Sequence, residues 1–105
     1  MLSSGYISHT EVEKAIDQFI RTLGPEVVRV RWNFGNDWSG DPALYFRVVL
    51  ADSVAVDRQT FLDTAERVRA SFFEQLQPLE NWGLFPHVRF RSNAENAQVS
   101  DQKWS

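Results

Sequence analysis

The segment VRVRWNF, residues 28–34, decides how this chain folds. Apolar and polar side chains alternate along it without a break, and a period of two is typical of a β-strand with one buried and one open face. Residues 43–51 repeat the pattern after a turn, and HVRFR at residues 87–91 repeats it again. The sequence therefore predicts three amphipathic strands, the first two joined as a hairpin.

Two amphipathic helices are predicted beside these strands. The first begins at a capping box formed by Ser8 and Glu11 and ends at Gly24, which a proline follows. Asp57 can cap the second helix, which runs to about Gln77 because the next residue is a proline. The apolar residues of both helices recur at helical spacing, which gives each helix one core-facing stripe.

The elements follow one another in the order α-β-β-α-β. This order predicts an α+β fold: a two-layer sandwich with a three-stranded sheet, both helices on one face, and the third strand parallel to the second. Ferredoxin-like domains that lack one strand and KH-like domains share it. We expect residues 79–86 to be a loop, residues 1–92 to form one domain, and residues 93–105 to be a mobile or loosely docked tail. The residues expected to be buried are Val30, Phe46, Val48, Phe61, Phe72 and Phe90.

The composition limits the classes of function. The 105 residues suit a single domain, and the 43% that are hydrophobic exclude disorder as the default state. A net charge of −3 argues against a nucleic-acid binder that is basic throughout, and the lack of cysteine excludes disulfides and thiolate chemistry. Residues 1–8 lack the features of a signal peptide, and no apolar run approaches the roughly 20 residues of a membrane span, so we expect a cytoplasmic protein.

The polar positions of the strands are the most informative feature. They place five of the eleven basic residues, all of them arginines, on the sheet face that the helices leave open. The planar guanidinium group pairs bidentately with a carboxylate or a phosphate. We therefore interpret this surface as a binding face for anions or for a partner, and call it the arginine face. Its candidate residues are Arg29, Arg31, Tyr45, Arg47, His87, Arg89 and Arg91, with Asn33 beside them.

Three interpretations of the arginine face stay open. It is a solvated surface whose arginines pair with acids such as Glu26 or Glu95, a docking surface for an acidic protein or for a second copy of the chain, or a surface for RNA. Sheets that bind RNA usually present two or more stacking aromatic rings, and this face offers only Tyr45. The Gly-x-x-Gly loop of KH-type binding is also missing from the sequence.

A second candidate surface lies at one end of the predicted sandwich. The turn at residues 36–42 and the loop at residues 79–86 meet there and carry an aromatic pole formed by Trp38, Trp82 and Phe85. Large aromatic residues in loops can anchor a protein partner. A small domain also needs large side chains to close the ends of its core, and we expect Trp38 and Trp82 to fold back in that way.

Little in the sequence indicates catalysis or a metal. Asp37 and Asp41 lie in a turn that superficially resembles a calcium loop, but the glutamate that would complete it is missing, and we expect Asx-type hydrogen bonds instead. A related interpretation pairs one of these aspartates with a sheet arginine. The two histidines, His9 and His87, are not brought together by any pattern. We therefore expect no catalytic residue, metal or cofactor, and an enzyme would need a pocket at the aromatic pole.

Two segments resemble a family of small, uncharacterised bacterial proteins. They are DWSGDPALYFR at residues 37–47 and GLFP at residues 83–86, the second followed by FRS at residues 90–92. The resemblance extends over residues 9–96. It implies a bacterial, cytoplasmic, stand-alone domain, and it assigns no activity, cofactor or catalytic residue.

These features together predict a non-catalytic binding module. We expect a small cytoplasmic accessory protein that acts through an acidic protein partner, or as a homodimer, by way of the arginine face. The alternative is an RNA-binding domain that uses the same face, whose affinity would fall steeply with salt because phosphate contacts release counterions.

Overall fold

The alternating segments of the sequence form three strands, as their period of two predicts. The computed structural model describes residues 9–98, and the predicted cap at Ser8 lies outside them. The fold is α+β, with a mixed three-stranded sheet and helices. In chain order the elements are α1 (His9–Ile20), β1 (Val27–Asn36), β2 (Pro42–Leu50), a 3₁₀ turn (Asp52–Val54), α2 (Arg58–Ser71), a π-helical turn (Phe72–Leu76), α3 (Pro78–Trp82), β3 (Phe85–Ser92) and α4 (Asn93–Gln98).

The sheet has the order β1-β2-β3, so β2 lies in its centre. β1 and β2 are antiparallel, with Trp32 opposite Phe46, and form the predicted hairpin. β2 and β3 are parallel, with Phe46 beside Val88, because the helical segment between them carries the chain back along the sheet. The predicted direction of the third strand is therefore confirmed.

One side of β2 forms the centre of the core. Its even-numbered side chains are buried and pack with apolar residues of α1, α2 and the π-helical turn. These four side chains are Leu44, Phe46, Val48 and Leu50. The ring of Phe72 lies among them, with its centroid 4.6 Å from that of Phe46 and 4.8 Å from that of Phe19 on α1. The helices and the sheet therefore share one core.

The predicted core is confirmed in its centre and less complete at its edges. Three of the six expected residues are buried: Phe46, Val48 and Phe72. The other three pack against the core and are partly buried: Val30, Phe61 and Phe90. Two of these lie on edge strands, where a neighbouring strand covers only one side. Arg29 and Arg31 are exposed, so the predicted register of β1 is confirmed.

The predicted cap of the second helix is confirmed. Asp57 accepts hydrogen bonds from the backbone N–H of Thr60 at 2.8 Å and from its hydroxyl at 3.0 Å, and these contacts lower the pKa of the Asp57 carboxyl. α2 continues directly into the π-helical turn, so the helical path extends to Leu76. The predicted end of this helix is therefore correct to within one residue.

The expectation of a loop at residues 79–86 is wrong. Pro78 ends the preceding helix but also lies in the first turn of α3, where a helix needs no N–H donor. Gln77 makes the bend between the two helices in the left-handed region, at φ 44°. Pro86 lies within β3, because an edge strand tolerates proline where the missing donor faces away from the sheet. β3 therefore begins at Phe85, before its predicted start.

α4 begins with a capping box that was not predicted. Ser92 Oγ accepts a hydrogen bond from the Glu95 N–H at 3.1 Å, and Glu95 Oε1 accepts one from the Ser92 N–H at 3.2 Å. The Ala94 N–H donates to Asp52 Oδ1 at 2.8 Å and ties α4 to the segment that follows β2. The expected tail thus begins with a helix at residues 93–98. Its remaining residues lie outside the described ones, and the domain boundary at residue 92 stays a prediction.

Replacing Phe72 by alanine should lower the free energy of unfolding by about 3–5 kcal/mol, because the ring is fully buried and core residues surround the space that it leaves. Chemical denaturation measures this change. Leu62→Ala is the matched control, since Leu62 lies on α2 with 45% of its surface exposed. The control should cost about 1 kcal/mol or less. Equal losses for the two variants would contradict this description of the core.

Replacing Ser92 by alanine should loosen α4 without unfolding the domain. The variant loses the hydroxyl that accepts from the Glu95 N–H, and a cap of this kind contributes about 1 kcal/mol. Amide hydrogen exchange at residues 95–98 should accelerate about fivefold. The control is Ser71→Ala, which removes a hydroxyl that donates within α2 and should leave exchange in α4 unchanged. Unchanged exchange in Ser92→Ala would show that the box does not hold the helix.

Candidate binding face

Strand register gathers the arginines of the open face into two rows across the sheet. Arg31, Arg47 and Arg89 are direct neighbours on β1, β2 and β3, so three guanidinium side chains lie side by side. Two positions further along, Arg29 and Arg91 lie on either side of a β2 valine. Neighbouring strands are about 4.8 Å apart, which is close enough for opposed like charges to repel. None of the residues that the three described strands place on this face is acidic.

Exposure differs between the edge strands and the central strand. Three of the arginines are exposed: Arg29, Arg31 and Arg89. The other two, Arg47 and Arg91, are partly buried and engage in further interactions. Arg29, Arg31 and Arg89 are therefore the most accessible arginines of the face.

Glu26 and Glu95, which the solvated interpretation names as possible partners of the arginines, form hydrogen bonds with other groups. Glu26 Oε2 accepts a hydrogen bond from Arg67 Nη1 on α2 at 2.8 Å. Hydrogen bonds from its own backbone N–H and from Arg67 hold the pKa of the Glu26 carboxyl below its ordinary value. Glu95 is used in the capping box of α4. The hydrogen bonds of these two carboxylates thus go to groups other than the arginines of the face, and the solvated interpretation stays open.

Three aromatic rings lie on the same face between the arginine row and the hairpin turn. Tyr45 and His87 are register neighbours whose rings stack, with centroids 4.8 Å apart and planes 12° from parallel. Phe85 lies nearer the hairpin turn and meets the His87 ring edge-on, at a centroid distance of 5.2 Å. The Tyr45 hydroxyl donates to the Asn36 carbonyl oxygen at 2.7 Å. A Cβ added at Gly35 would lie only 2.8 Å from Cε2 of Tyr45, so this ring is enclosed between β1 and His87.

The predicted third strand begins at His87, and Tyr45 is therefore the only stacking aromatic residue that the sequence places on this face. Because β3 starts at Phe85, this residue lies on the arginine face with Tyr45 and does not belong to the aromatic pole. Phe73 extends the group beyond the sheet edge, since its ring lies 6.1 Å from that of Phe85, and the Arg69 guanidinium lies 5.3 Å from the Phe73 ring centre. Phe73 is one of the apolar residues whose helical spacing predicts a core-facing position on the second helix, so no signal in the sequence pointed to this contact.

The aromatic pole divides into three separate environments. Trp38 is 97% exposed, so the expectation that it closes the core is wrong. Trp82 packs against the core and is partly buried, as expected. Phe85 belongs to the arginine face. Trp38 lacks cover because the turn at residues 37–41 projects beyond the last paired residues of the hairpin.

Asp37 organises this turn with Asx-type hydrogen bonds, as predicted. Its Oδ1 accepts from the Ser39 hydroxyl at 2.7 Å, the Ser39 N–H at 2.9 Å and the Asp41 N–H at 3.0 Å. These bonds, above all the one from the Ser39 hydroxyl, hold the pKa of Asp37 below its ordinary value, and the charge of His87 acts in the same direction. Asp41 Oδ2 accepts from Ser39 as well. Within residues 9–98 neither aspartate forms the predicted pair with a sheet arginine.

No protein-family model, curated protein or solved structure matches this chain. The resemblance to a bacterial family therefore stays a prediction. Within residues 9–98 no group of three or more histidine, aspartate or glutamate side chains is placed to hold a metal ion. The helices of this part of the chain are all too short or too polar to cross a membrane. The arginine face is interpreted from its own geometry.

Replacing Asp37 by alanine should destabilise the fold more at neutral pH than in acid. The pKa of Asp37 is lower in the folded than in the unfolded chain. Its hydrogen bonds therefore stabilise the fold at pH values above the ordinary aspartate pKa, and this stabilisation is lost as the pH falls through the pKa of the folded state. Thermal unfolding of wild type and variant over an acid-to-neutral pH series measures the difference. Asp17→Ala removes an exposed carboxylate from α1 and is the control. A difference for Asp37→Ala that grows in acid would contradict this role.

Proposed function

We propose that this protein is a non-catalytic binding module whose arginine face takes the carboxylates of an acidic protein partner. The observation that carries the proposal is the row of Arg31, Arg47 and Arg89 across the sheet. Like charges at opposed strand positions repel one another, and Arg31 and Arg89 at the two ends of the row are exposed. A partner that brings carboxylates removes the repulsion and gains charge-assisted, bidentate hydrogen bonds.

The magnitudes indicate what kind of partner the face suits. An exposed ion pair contributes about 0.2–1 kcal/mol, so a single carboxylate on Arg31 or Arg89 would bind too weakly to matter. An acidic segment that meets several arginines at once adds these contributions, and the concentrated charge also accelerates the encounter. We therefore infer a partner with closely spaced carboxylates.

A homodimer is compatible with this proposal under one condition. Two arginine rows placed directly against each other would oppose like charges, which costs an interface several kcal/mol. A second copy can act as the partner only if it brings its own carboxylates to the row. The charge of the face thus restricts the geometry of any dimer.

RNA binding through the same face is the second candidate function. The three aromatic rings and the arginines together favour it more than the sequence alone did. Base stacking, however, needs an accessible ring face, and Tyr45 is enclosed between His87 and Gly35. Phe85, which is 42% exposed, is the ring most accessible to a base. The geometry therefore supports an acidic protein better than RNA.

The remaining features of the proposal rest on the sequence. We infer a bacterial, cytoplasmic accessory protein from the resemblance of residues 37–47 and 83–86. We infer a ferredoxin-like or KH-like relationship from the order of the principal elements, which is an analogy of fold and carries no function. The proposed absence of catalysis rests on the lack of a recognisable catalytic motif in the sequence.

Reversing two charges at the edges of the arginine face should weaken binding of an acidic peptide. Arg31→Glu combined with Arg89→Glu removes two exposed arginines of the row, and the affinity for a fluorescent, glutamate-rich peptide should fall at least about tenfold. Fluorescence anisotropy measures it. The matched control is Arg21→Glu combined with Arg58→Glu, which changes net charge equally at exposed positions outside the sheet and should alter affinity about twofold or less.

Two results would overturn the proposal. Equal losses in the two double variants would show that the peptide responds to net charge and not to the arginine face. Tighter binding of a single-stranded oligouridylate than of the peptide, with a steep loss of affinity at high salt and dependence on Arg31 and Arg89, would establish the RNA alternative instead.

A further inference from the structure

The hairpin turn presents an unusual surface residue. Trp38 is 97% exposed, the highest value among the exposed large apolar residues of the described chain. Its backbone belongs to a turn that is closed by hydrogen bonds from the Asp37 N–H to the Asp41 carbonyl oxygen and from the Gly40 N–H to the Asp37 carbonyl oxygen, both 2.9 Å long. A large apolar side chain on a preorganised turn loses little backbone entropy on binding, which is how interface anchors act.

The same turn carries carboxylates, which are absent from the positions of the described strands on the arginine face. Asp37 and Asp41 flank Trp38, and the turn at residues 37–41 contains no basic residue. Carboxylates pair with guanidinium groups, and an indole ring is the best aromatic surface for a guanidinium to stack on. The turn and the arginine row are therefore chemically complementary.

The turn lies at the end of the arginine face itself. The Tyr45 side chain, which belongs to that face, donates to the carbonyl oxygen of Asn36 at the start of the turn. The charge of His87, on the same face, acts on the Asp37 carboxyl. A surface that covers the arginine face is thus able to meet the turn as well.

The turn and the arginine row of one chain lie apart. The last paired residues of the hairpin are Asn36 and Pro42, and Arg31 lies five positions back along β1. At roughly 3.3 Å per residue the backbone separation is about 17 Å. Trp38 is also 97% exposed and therefore does not stack on an arginine of its own chain, so the row of a second copy is left as its partner.

We propose that two copies of this chain pack face to face, with Trp38 and its flanking aspartates in each copy seated on the Arg31–Arg47–Arg89 row of the other. The inference rests on the proposed function and names its acidic partner as a second copy. A two-fold axis that lies between the two sheets, parallel to their planes and perpendicular to the strands, satisfies both contacts at once, because it turns the two faces toward each other and exchanges the two ends of the face. The axis then passes near Tyr45 and His87, which lie between the turn and the row.

This arrangement resolves the repulsion that direct stacking of two arginine rows would create. Each row faces an acidic turn, and the aromatic rings at the middle of each face cover their counterparts near the axis. The contact is reciprocal, so one substitution in the chain removes two contacts from the dimer.

Sedimentation velocity over a wide concentration range tests the dimer. Wild type should be a dimer that dissociates on dilution and at high salt, because exposed charges are screened. Trp38→Ala should weaken dimerisation at least about 30-fold, the effect expected for an interface anchor. The control Leu62→Ala truncates an exposed apolar residue of α2, in the other layer, and should change dimerisation about twofold or less.

A mixture of variants tests the reciprocal geometry. Trp38→Ala keeps the arginine row, and Arg31→Glu with Arg89→Glu keeps the turn, so neither homodimer retains a complete contact. The mixed dimer retains one. Mixing the two variants should therefore produce more dimer than either variant alone at the same total concentration, and circular dichroism verifies that both are folded.

The outcomes separate this inference from the proposed function. Four results would each overturn the reciprocal dimer. They are a monomeric wild type, a dimer whose stability is unchanged by Trp38→Ala, assemblies that keep growing with concentration, and a mixture that forms no more dimer than the single variants. If the glutamate-rich peptide still binds in a manner that depends on Arg31 and Arg89, the proposed function stands without it. Peptide binding that ignores these arginines overturns the proposed function whether or not a dimer forms.

Discussion

The burial of one side of β2 is the constraint on which the rest of this structure depends. Leu44, Phe46, Val48 and Leu50 lie against the helices, and a slip of one residue would move all four to the opposite face. The contact between the rings of Phe46 and Phe72 holds the helical layer on this side. β1 and β3 pair with β2 on its two sides, so the orientation of β2 determines which side chains of β1 and β3 face the helices.

The arginine face is a consequence of that choice. Once the apolar positions face the helices, the alternate positions must lie together on the other side, and the register aligns Arg31, Arg47 and Arg89 in one row. Like charges at neighbouring strand positions repel one another, but burial of the core sets the register because it contributes more free energy of folding than exposed charges remove. This surface is the one that we propose takes the carboxylates of a partner.

The hairpin turn gives this surface a counterpart within the same chain. The hydrogen bonds that Asp37 accepts keep the turn closed, and they also hold Trp38 away from the core that it was expected to close. Turn closure and exposure of the indole thus have one cause. The acidic, aromatic turn at one end of the face and the arginines about 17 Å away are the two halves of the reciprocal contact that we propose.

By itself, the sequence determined the features that depend on neighbours along the chain: the alternating strands, the Asp57 cap, the Asx-type turn and the set of arginines on the open face. The capping box of Ser92 and Glu95 can also be recognised in the sequence, but it was not predicted because no apolar periodicity follows it. Only the tertiary structure decided that Arg89 lies beside Arg47, that Phe85 joins the sheet through an edge-strand proline, and that Trp38 has no cover. The physical reason is that these features depend on packing between segments distant in sequence, whereas periodicity, capping and turn chemistry report only local backbone preferences.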